Sequence, residues 1–337
     1  MKVDGGVGGD LTGIADGVKL QEAAGYDGVF ASETNQDPFL TLLLAAEHSE
    51  RIELGTNIAV AFARNPMTLA QSAHDLQRFS DGRFILGLGS QIKPHITKRF
   101  SMEWGRPAAR MREMIQALRA IWATWNDGAE LAFEGEFYRH TLMTPFFTPP
   151  PSPQGPPQVM LAAVGPLMTK VAGEVADGLL AHGFTTPEYL RDVTLPALEE
   201  GAKEGGRTRA DLTIALPAFV VTGDSDETTE KASKAVRGQI AFYGSTPAYK
   251  GVLEHHGWGD LQPELNQLSK QRKWAEMGDL ITDDVLSAFA VVAAPDSVAD
   301  ALLDRFGGTV DRMSFYAPYA AADDLWAQVR STLQAAD

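Results

Sequence analysis

The chain has 337 residues, long enough for one large α/β barrel or two ordinary domains, and its 44% hydrophobic and 22% charged residues are an ordinary globular balance. A net charge of −15 argues against sequence-independent nucleic-acid binding and anionic membrane surfaces, and the absence of cysteine excludes disulfides, thiolate metal sites, iron–sulfur clusters and cysteine nucleophiles. The opening MKVDGG lacks a basic segment before an apolar core, and no apolar run approaches the roughly 20 residues of a membrane helix, so the expected setting is the cytoplasm.

Strand and helix signals alternate along the chain. Strand candidates are Lys2–Val7, Asp27–Ser32, Ile52–Val60, Arg83–Leu88, Gln158–Val164, Gly178–Ala181, Leu212–Val221 and Asp311–Tyr316. Helix patterns fall between most of them: Thr12–Ala24 ending at Gly25, Pro38–Ser49, Pro66–Phe79, Ala108–Thr124, Leu167–Ala176, Pro187–Glu204 and Glu227–Phe242. Eight strands in this rhythm predict a (β/α)8 barrel over residues 1–337 as one domain. A doubly wound open sheet is the competing reading, but it runs to five or six strands. Two segments, about 128–157 and 245–294, read as insertions. The first holds a hairpin signal over Glu130–His140 and the stiff, proline-rich run TPFFTPPPSPQGPP, and the second is expected to be mostly helical.

The chemistry-bearing candidates cluster where strands end, the rim on which parallel barrels place their sites. After the fifth strand, Ala162-Ala163-Val164-Gly165-Pro166-Leu167-Met168 runs into a helix. Small residues and a helix start make this either a phosphate site or an ordinary βα turn. Gly87-Leu88-Gly89-Ser90-Gln91 ends the fourth strand, but the third glycine of a dinucleotide fingerprint is missing because Ile92 stands there. Lys93, His95, Lys98 and Arg99 follow, with Arg106, Arg110 and Arg112 beyond: a receptor for an anionic tail, or a solvated helix face. None of the seven histidines has metal-ligand spacing; His95 and His182 fall at strand ends, where they would reach a mouth ligand, and His74 reads as structural. Glu33-Thr34-Asn35 closes the second strand, with Glu33 either a buried carboxylate or a helix-start residue.

The segments GVKLQEAAGYDGVFASE, LGTNIAVAFARNPMTLAQSAHDLQRFSDGRFILGLGSQ, RMREMIQALRAIW, FEGEFYRH and LAAVGPLMTKVAGEVADGLL together resemble the bacterial luciferase-like flavin and deazaflavin oxidoreductases over nearly the whole chain. Within that family the chain is most similar to the actinobacterial branch assigned to coenzyme F420, a deazaflavin. The resemblance implies a (β/α)8 barrel with an insertion, usually dimeric. It also implies a third-strand bulge with a non-prolyl cis peptide backing the tricyclic ring. Counting back from Arg64-Asn65-Pro66 places that bond at Asn57-Ile58.

By the same resemblance the cofactor phosphate would rest on the amides of Gly165 to Met168. Gly89, Ser90 and Gln91 would line the ring or its side chain, and a polyglutamyl tail would reach toward Lys93–Arg99. Relatives often carry a histidine where Thr34 stands, and the family's sugar-phosphate dehydrogenases carry a glutamate where Ile92 stands. These departures point away from sugar-phosphate oxidation and toward reduction of an activated double bond, with His95 and His182 as candidate proton donors. Phe39, Phe62 and Phe184 are the candidate walls of an apolar substrate pocket, the other choice being that they pack under loops. A monooxygenase using reduced flavin mononucleotide, and a non-catalytic flavin-binding protein, are the competing functional readings. A small-molecule substrate and a homodimer are expected, with no metal, nucleic acid or membrane partner.

Overall fold

Each apolar strand read from the sequence becomes one stave of a closed parallel barrel. The computed structural model describes residues 1–321 and 323–336. The staves are β1 (Lys2–Gly6), β2 (Gly28–Ala31), β3 (Glu53–Thr56), β4 (Phe84–Gly89), β5 (Gln158–Ala163), β6 (Gly178–Ala181), β7 (Thr213–Val221) and β8 (Arg312–Tyr316). Neighbours pair in parallel in chain order, and β8 closes on β1 with Lys2 opposite Arg312 and Val3 opposite Met313. The open sheet is thereby excluded.

The third strand carries the break that the resemblance implied: β3 stops at Thr56, the Asn57–Ile58 peptide is cis, and Ala59–Val60 resumes by pairing with Leu88 and Gly89 of β4. One detail departs from the expected strands. A short strand, Ala290–Val292, also pairs with Phe219–Val221 of β7. It lies at the end of the segment expected to be helical. The rest of that segment is helical as read, with helices Lys250–His255, Leu261–Lys270, Trp274–Asp279 and Asp283–Phe289.

The helices start and stop where local chemistry allows. Helix Pro66–Phe79 opens on Asn65, whose side chain accepts from Met67 N–H, with Pro66 at the position where a missing N–H costs nothing. It buries Leu69, Ala70, Ala73, His74 and Leu76 against the barrel. Helix Ile14–Ala24 ends at Gly25, left-handed at φ 89°. The pattern Pro187–Glu204 is one helical run with a π segment at Leu190–Thr194, just before Pro196, which cannot donate to a carbonyl one turn back. The hairpin Phe133–Glu134 with Arg139–His140 is held by Glu113, whose carboxylate accepts from the N–H groups of Glu136, Phe137 and Tyr138 at 2.9, 2.6 and 2.6 Å.

The barrel interior is layered. At the floor, Arg312 donates to both carboxylate oxygens of Asp4 and pairs with Glu53, which in turn holds Lys2. Asp4 and Arg312 are only 5% and 3% exposed, so this is a buried, fully partnered charge cluster. Burial raises the Asp4 carboxyl despite the opposing guanidinium. Above it lies an apolar layer of Ile85, Met160, Leu180 and Ala215, with Phe30, Ile58 and Ala162 packed on it. The large core fills the space between staves and outer helices. A separate cluster, built on Phe184, Phe219, Val236, Ile240, Leu265 and Phe289, anchors helix Asp226–Gly244 and the inserted helices beside the C-terminal end of β7.

Candidate functional site

The strands end around a cavity of about 1030 Å³ at the C-terminal mouth of the barrel. Its walls differ in kind. On one side stand Asn57, Ile58, Gly89, Ser90, Gln91 and Ile92, followed by Ala162 to Gly165 and Met168; on the other stand His182, Pro217, Tyr243, Tyr249, Ser314 and Tyr316.

The first wall is made largely of main chain, and the end of β2 fixes it. Asn57 N–H donates to Ala31 C=O at 2.9 Å, Ser32 Oγ donates to Asn57 C=O at 2.7 Å, and Glu33 N–H donates to Ile58 C=O at 3.2 Å. The Glu33 carboxylate accepts from Val60 N–H at 2.7 Å and pairs with Arg64, which also reaches Asp37 at 2.9 Å. Glu33 is therefore a buried, partnered carboxylate that pins both ends of the bulge. The sequence left that choice open.

Beside the bulge, Gly89 has no side chain because none fits: a Cβ would stand 2.9 Å from Ile58 Cδ1 and Cγ1. Further along, Gly165 begins helix Pro166–Val175 without a side-chain cap, and a Cβ there would meet nothing within 4 Å. The first-turn amides of that helix have no intrahelical partner and face open space, a ready site for an anion.

The second wall is made of side chains. His182 Nδ1 accepts from Phe184 N–H at 2.9 Å, and burial pushes the ring's pKa down to about 4. The imidazole is thus neutral, with its proton on Nε2. Its ring meets Tyr243 edge-on at 4.5 Å and Tyr249 at 4.7 Å between centroids. Tyr243 and Tyr316 hydroxyls bond to each other at 2.8 Å, and Tyr316 stacks on Phe219 at 4.7 Å. Burial and the Tyr243 hydroxyl raise the Tyr316 phenol, and burial pushes Tyr249 up to about 12, so both stay protonated. Among the described residues lining the cavity, Asp4 at the floor is the one carboxylate, and no lysine or arginine lines it.

Several sequence candidates stand elsewhere. His95 is exposed on the segment His95–Arg99 and does not line the cavity, because the chain turns outward after Ile92. Lys93, Lys98 and Arg99 are exposed on the same segment, and Arg99 donates to Thr34 C=O. Thr34 lines a smaller neighbouring cavity of about 290 Å³ with Gly8, Gly9 and Asn35. Pro166 and Leu167 are exposed outside the cavity lining, since the helix carries their side chains away from it.

Phe39, Phe62 and Phe184 do not wall the pocket. Phe39 packs on Phe84 under Arg64, Phe62 lies between Trp104 and Arg110, and Phe184 stacks on Phe289. Large aromatic side chains this close to the core gain more by full burial than at a wet rim. The other arginines of the basic run are engaged too: Arg106 with Glu136, Arg110 with Tyr138, Arg112 with Glu174. Aromatic residues that the cavity lining does include are Tyr243, Tyr249 and Tyr316 on the His182 side, with Phe30, Tyr26, Phe315 and Trp326 elsewhere along it. Tyr316 closes an apolar strand by the same rule that singled out His182, so that signal was present. Tyr243 stands at the end of helix Asp226–Gly244 and Tyr249 at the start of the insertion, where no local pattern marks a side chain as facing the mouth.

The fold and the site together are those of a (β/α)8 barrel with a bulge at Asn57–Ile58 and an uncapped helix start at one C-terminal mouth. The chain belongs to the luciferase-like monooxygenase family, whose model matches residues 2–312. It is 55% identical over 313 residues to an uncharacterized protein of Mycobacterium tuberculosis, covering 93% of this chain and 92% of that one. It is 28% identical over 291 residues to the 5,10-methylenetetrahydromethanopterin reductase of Methanolobus tindarius, covering 84% and 83%. The coenzyme F420 dependent tetrahydromethanopterin reductase of Methanopyrus kandleri has the same fold, with a TM-score of 0.78 at 22% identity over 98% of both chains.

Proposed function

We propose that the protein is an F420-dependent oxidoreductase that moves hydride between the deazaflavin and a small organic substrate, in the direction of reducing an activated double bond. One observation carries the reading. A single cavity runs from the Ile58 bulge, past the bare backbone of Gly89, to the free amides at Gly165–Met168. That length and shape suit a planar ring at one end and a phosphate at the other. The kinship with a methylenetetrahydromethanopterin reductase supports the same choice.

When bound, the deazaflavin supplies the hydride chemistry. The chain's residues do the rest. Ile58 and Gly89 would back the ring, the helix start would hold the phosphate, and Lys93 and Lys98 on the adjoining rim would offer charge to an anionic tail. His182, neutral and donating from Nε2, stands on the substrate side.

Flavin mononucleotide with oxygen is the second reading, and the phosphate site serves it equally. The unpaired rim lysines favour the deazaflavin. Parallel fluorescence titrations with F420 and flavin mononucleotide decide between them: F420 is expected to bind and flavin mononucleotide to bind far more weakly. Tight flavin mononucleotide binding without F420 binding reverses the assignment. A homodimer is also proposed. Leu142, Phe146 and Phe147 expose apolar surface on the proline-rich arm, and a monomeric mass by light scattering would dismiss that idea.

A further inference from the structure

The wall opposite the cofactor cradle has a chemistry of its own. Tyr243 and Tyr316 bond only to each other through their hydroxyls, at 2.8 Å. Whichever hydroxyl donates within the pair, the other keeps its proton for a third partner, and that proton is polarised by the bond behind it. His182 adds a second donor, because Phe184 N–H occupies Nδ1 and Nε2 has no partner among the described residues. The imidazole and the Tyr243 ring are in edge contact at 4.5 Å, so the donors share one corner of the mouth. Pro217 and Tyr249 complete that corner with apolar surface.

Among the described residues lining the cavity, no charged side chain faces this corner. The one carboxylate lining the cavity, Asp4, lies at the floor and is neutralised by Arg312. A phosphate dianion would be buried here without a cation, which is costly, whereas a single oxygen whose charge is spread over a conjugated system is met by two hydrogen-bond donors. A carbonyl oxygen fits: it is an uncharged acceptor that takes two donors at once.

We propose that Tyr316, Tyr243 and His182 form a donor site for the carbonyl oxygen of a flat, uncharged, conjugated carbonyl compound, with Tyr316 and His182 touching that oxygen as catalytic residues. The proposal rests on the deazaflavin reading for its reductant. Hydride from the reduced deazaflavin forms the new C–H bond at the carbon conjugated with the carbonyl. The C=C electron pair shifts to give an enolate, whose charge on oxygen these donors hold. Water then supplies the proton that closes the neighbouring C–H bond. The substrate is reduced by two electrons and the deazaflavin oxidised by two.

The test uses 4-nitrophenol as a probe, because its anion mimics the enolate and is read from its visible absorption without any cofactor. The wild-type protein is expected to bind the anion in preference to the neutral phenol. Tyr316→Phe and His182→Gln should each weaken that binding about tenfold, the loss of one good hydrogen bond to a charged group, with F420 binding and melting temperature unchanged. Tyr243→Phe serves as a second route to the same hydroxyl pair if Tyr316→Phe does not fold. Anion binding that is equal in all variants, or binding of the neutral phenol alone, overturns the proposal. An F420 titration of the same samples separates the failures. Wild-type protein that holds F420 but not the anion sinks only the donor site, and protein that holds the anion but not F420 sinks only the cofactor reading.

Discussion

The two sides of the barrel mouth are built by opposite means. From β3 to β5 the wall is backbone: a bulge pinned by Ser32 and Glu33, a glycine with no room for a methyl, and a helix start without a cap. From β6 to β8 it is side chain: one histidine and three tyrosines locked together by ring contacts. Main-chain donors cannot be altered one at a time by substitution, so they suit a fixed cofactor. Side chains can be exchanged singly, so they suit a substrate that differs among relatives.

That division can be broken from below. The floor ion cluster supports both walls, so Asp4→Ala should damage them together. Arg312 would stay buried with both of its bonds to Asp4 lost and only Glu53 left as a partner, at a cost of about 3–5 kcal/mol, read as a lower urea midpoint with F420 and 4-nitrophenol binding lost in parallel. The double variant Asp4→Leu with Arg312→Met should recover most of the stability. If the single variant is as stable as the parent, the cluster is not what supports the walls.

The side-chain wall should show itself in acid. The folded pKa of His182 lies near 4 against an ordinary 6.5, because burial disfavours its charge. As pH falls below 6.5 the unfolded chain takes up that proton before the folded one does. The His182 contribution to stability should fall between about pH 6.5 and 4, by as much as about 3 kcal/mol, and the depressed Glu22 and Glu53 carboxylates add a further loss at lower pH. His182→Gln should flatten that part of the pH curve while leaving stability near pH 8 close to its parent value. An unchanged slope would mean that other groups carry the acid sensitivity.

The backbone wall should fail separately. Gly89→Val places methyl groups against Ile58, an overpacking of about 1–3 kcal/mol, or about 10- to 100-fold in F420 affinity. Binding of 4-nitrophenol should survive. The rim gives the smallest effect: Lys93→Glu with Lys98→Glu should weaken F420 about fivefold at low salt and hardly at all at high salt. Flavin mononucleotide, without a tail, should not notice the change.

Legibility in the sequence follows the same line. The staves and the backbone wall lie in short continuous segments, so Gly89 and Gly165 could be placed at strand ends by counting, whereas the Asn57–Ile58 bond followed from the family resemblance. Glu33 was ambiguous, because its partners Val60 and Arg64 lie 27 and 31 residues away. Tyr243, Tyr249 and Tyr316 come from the helix that follows β7, a turn and the last strand. No local pattern says that they converge, and Tyr243 reads as one more position in an amphipathic helix. Phe39, Phe62 and Phe184 misled for the converse reason: an aromatic near a strand end reads the same whether it faces the mouth or the core beneath.

The most direct measurement is amide hydrogen exchange with and without saturating F420. The account predicts protection in segments 54–62, 86–92 and 160–170, strongest at the helix start beside Gly165, with little change across the helices of 250–289. Protection confined to the Tyr243–Tyr249 and Tyr316 side, with the 160–170 segment exchanging as freely as before, would contradict it.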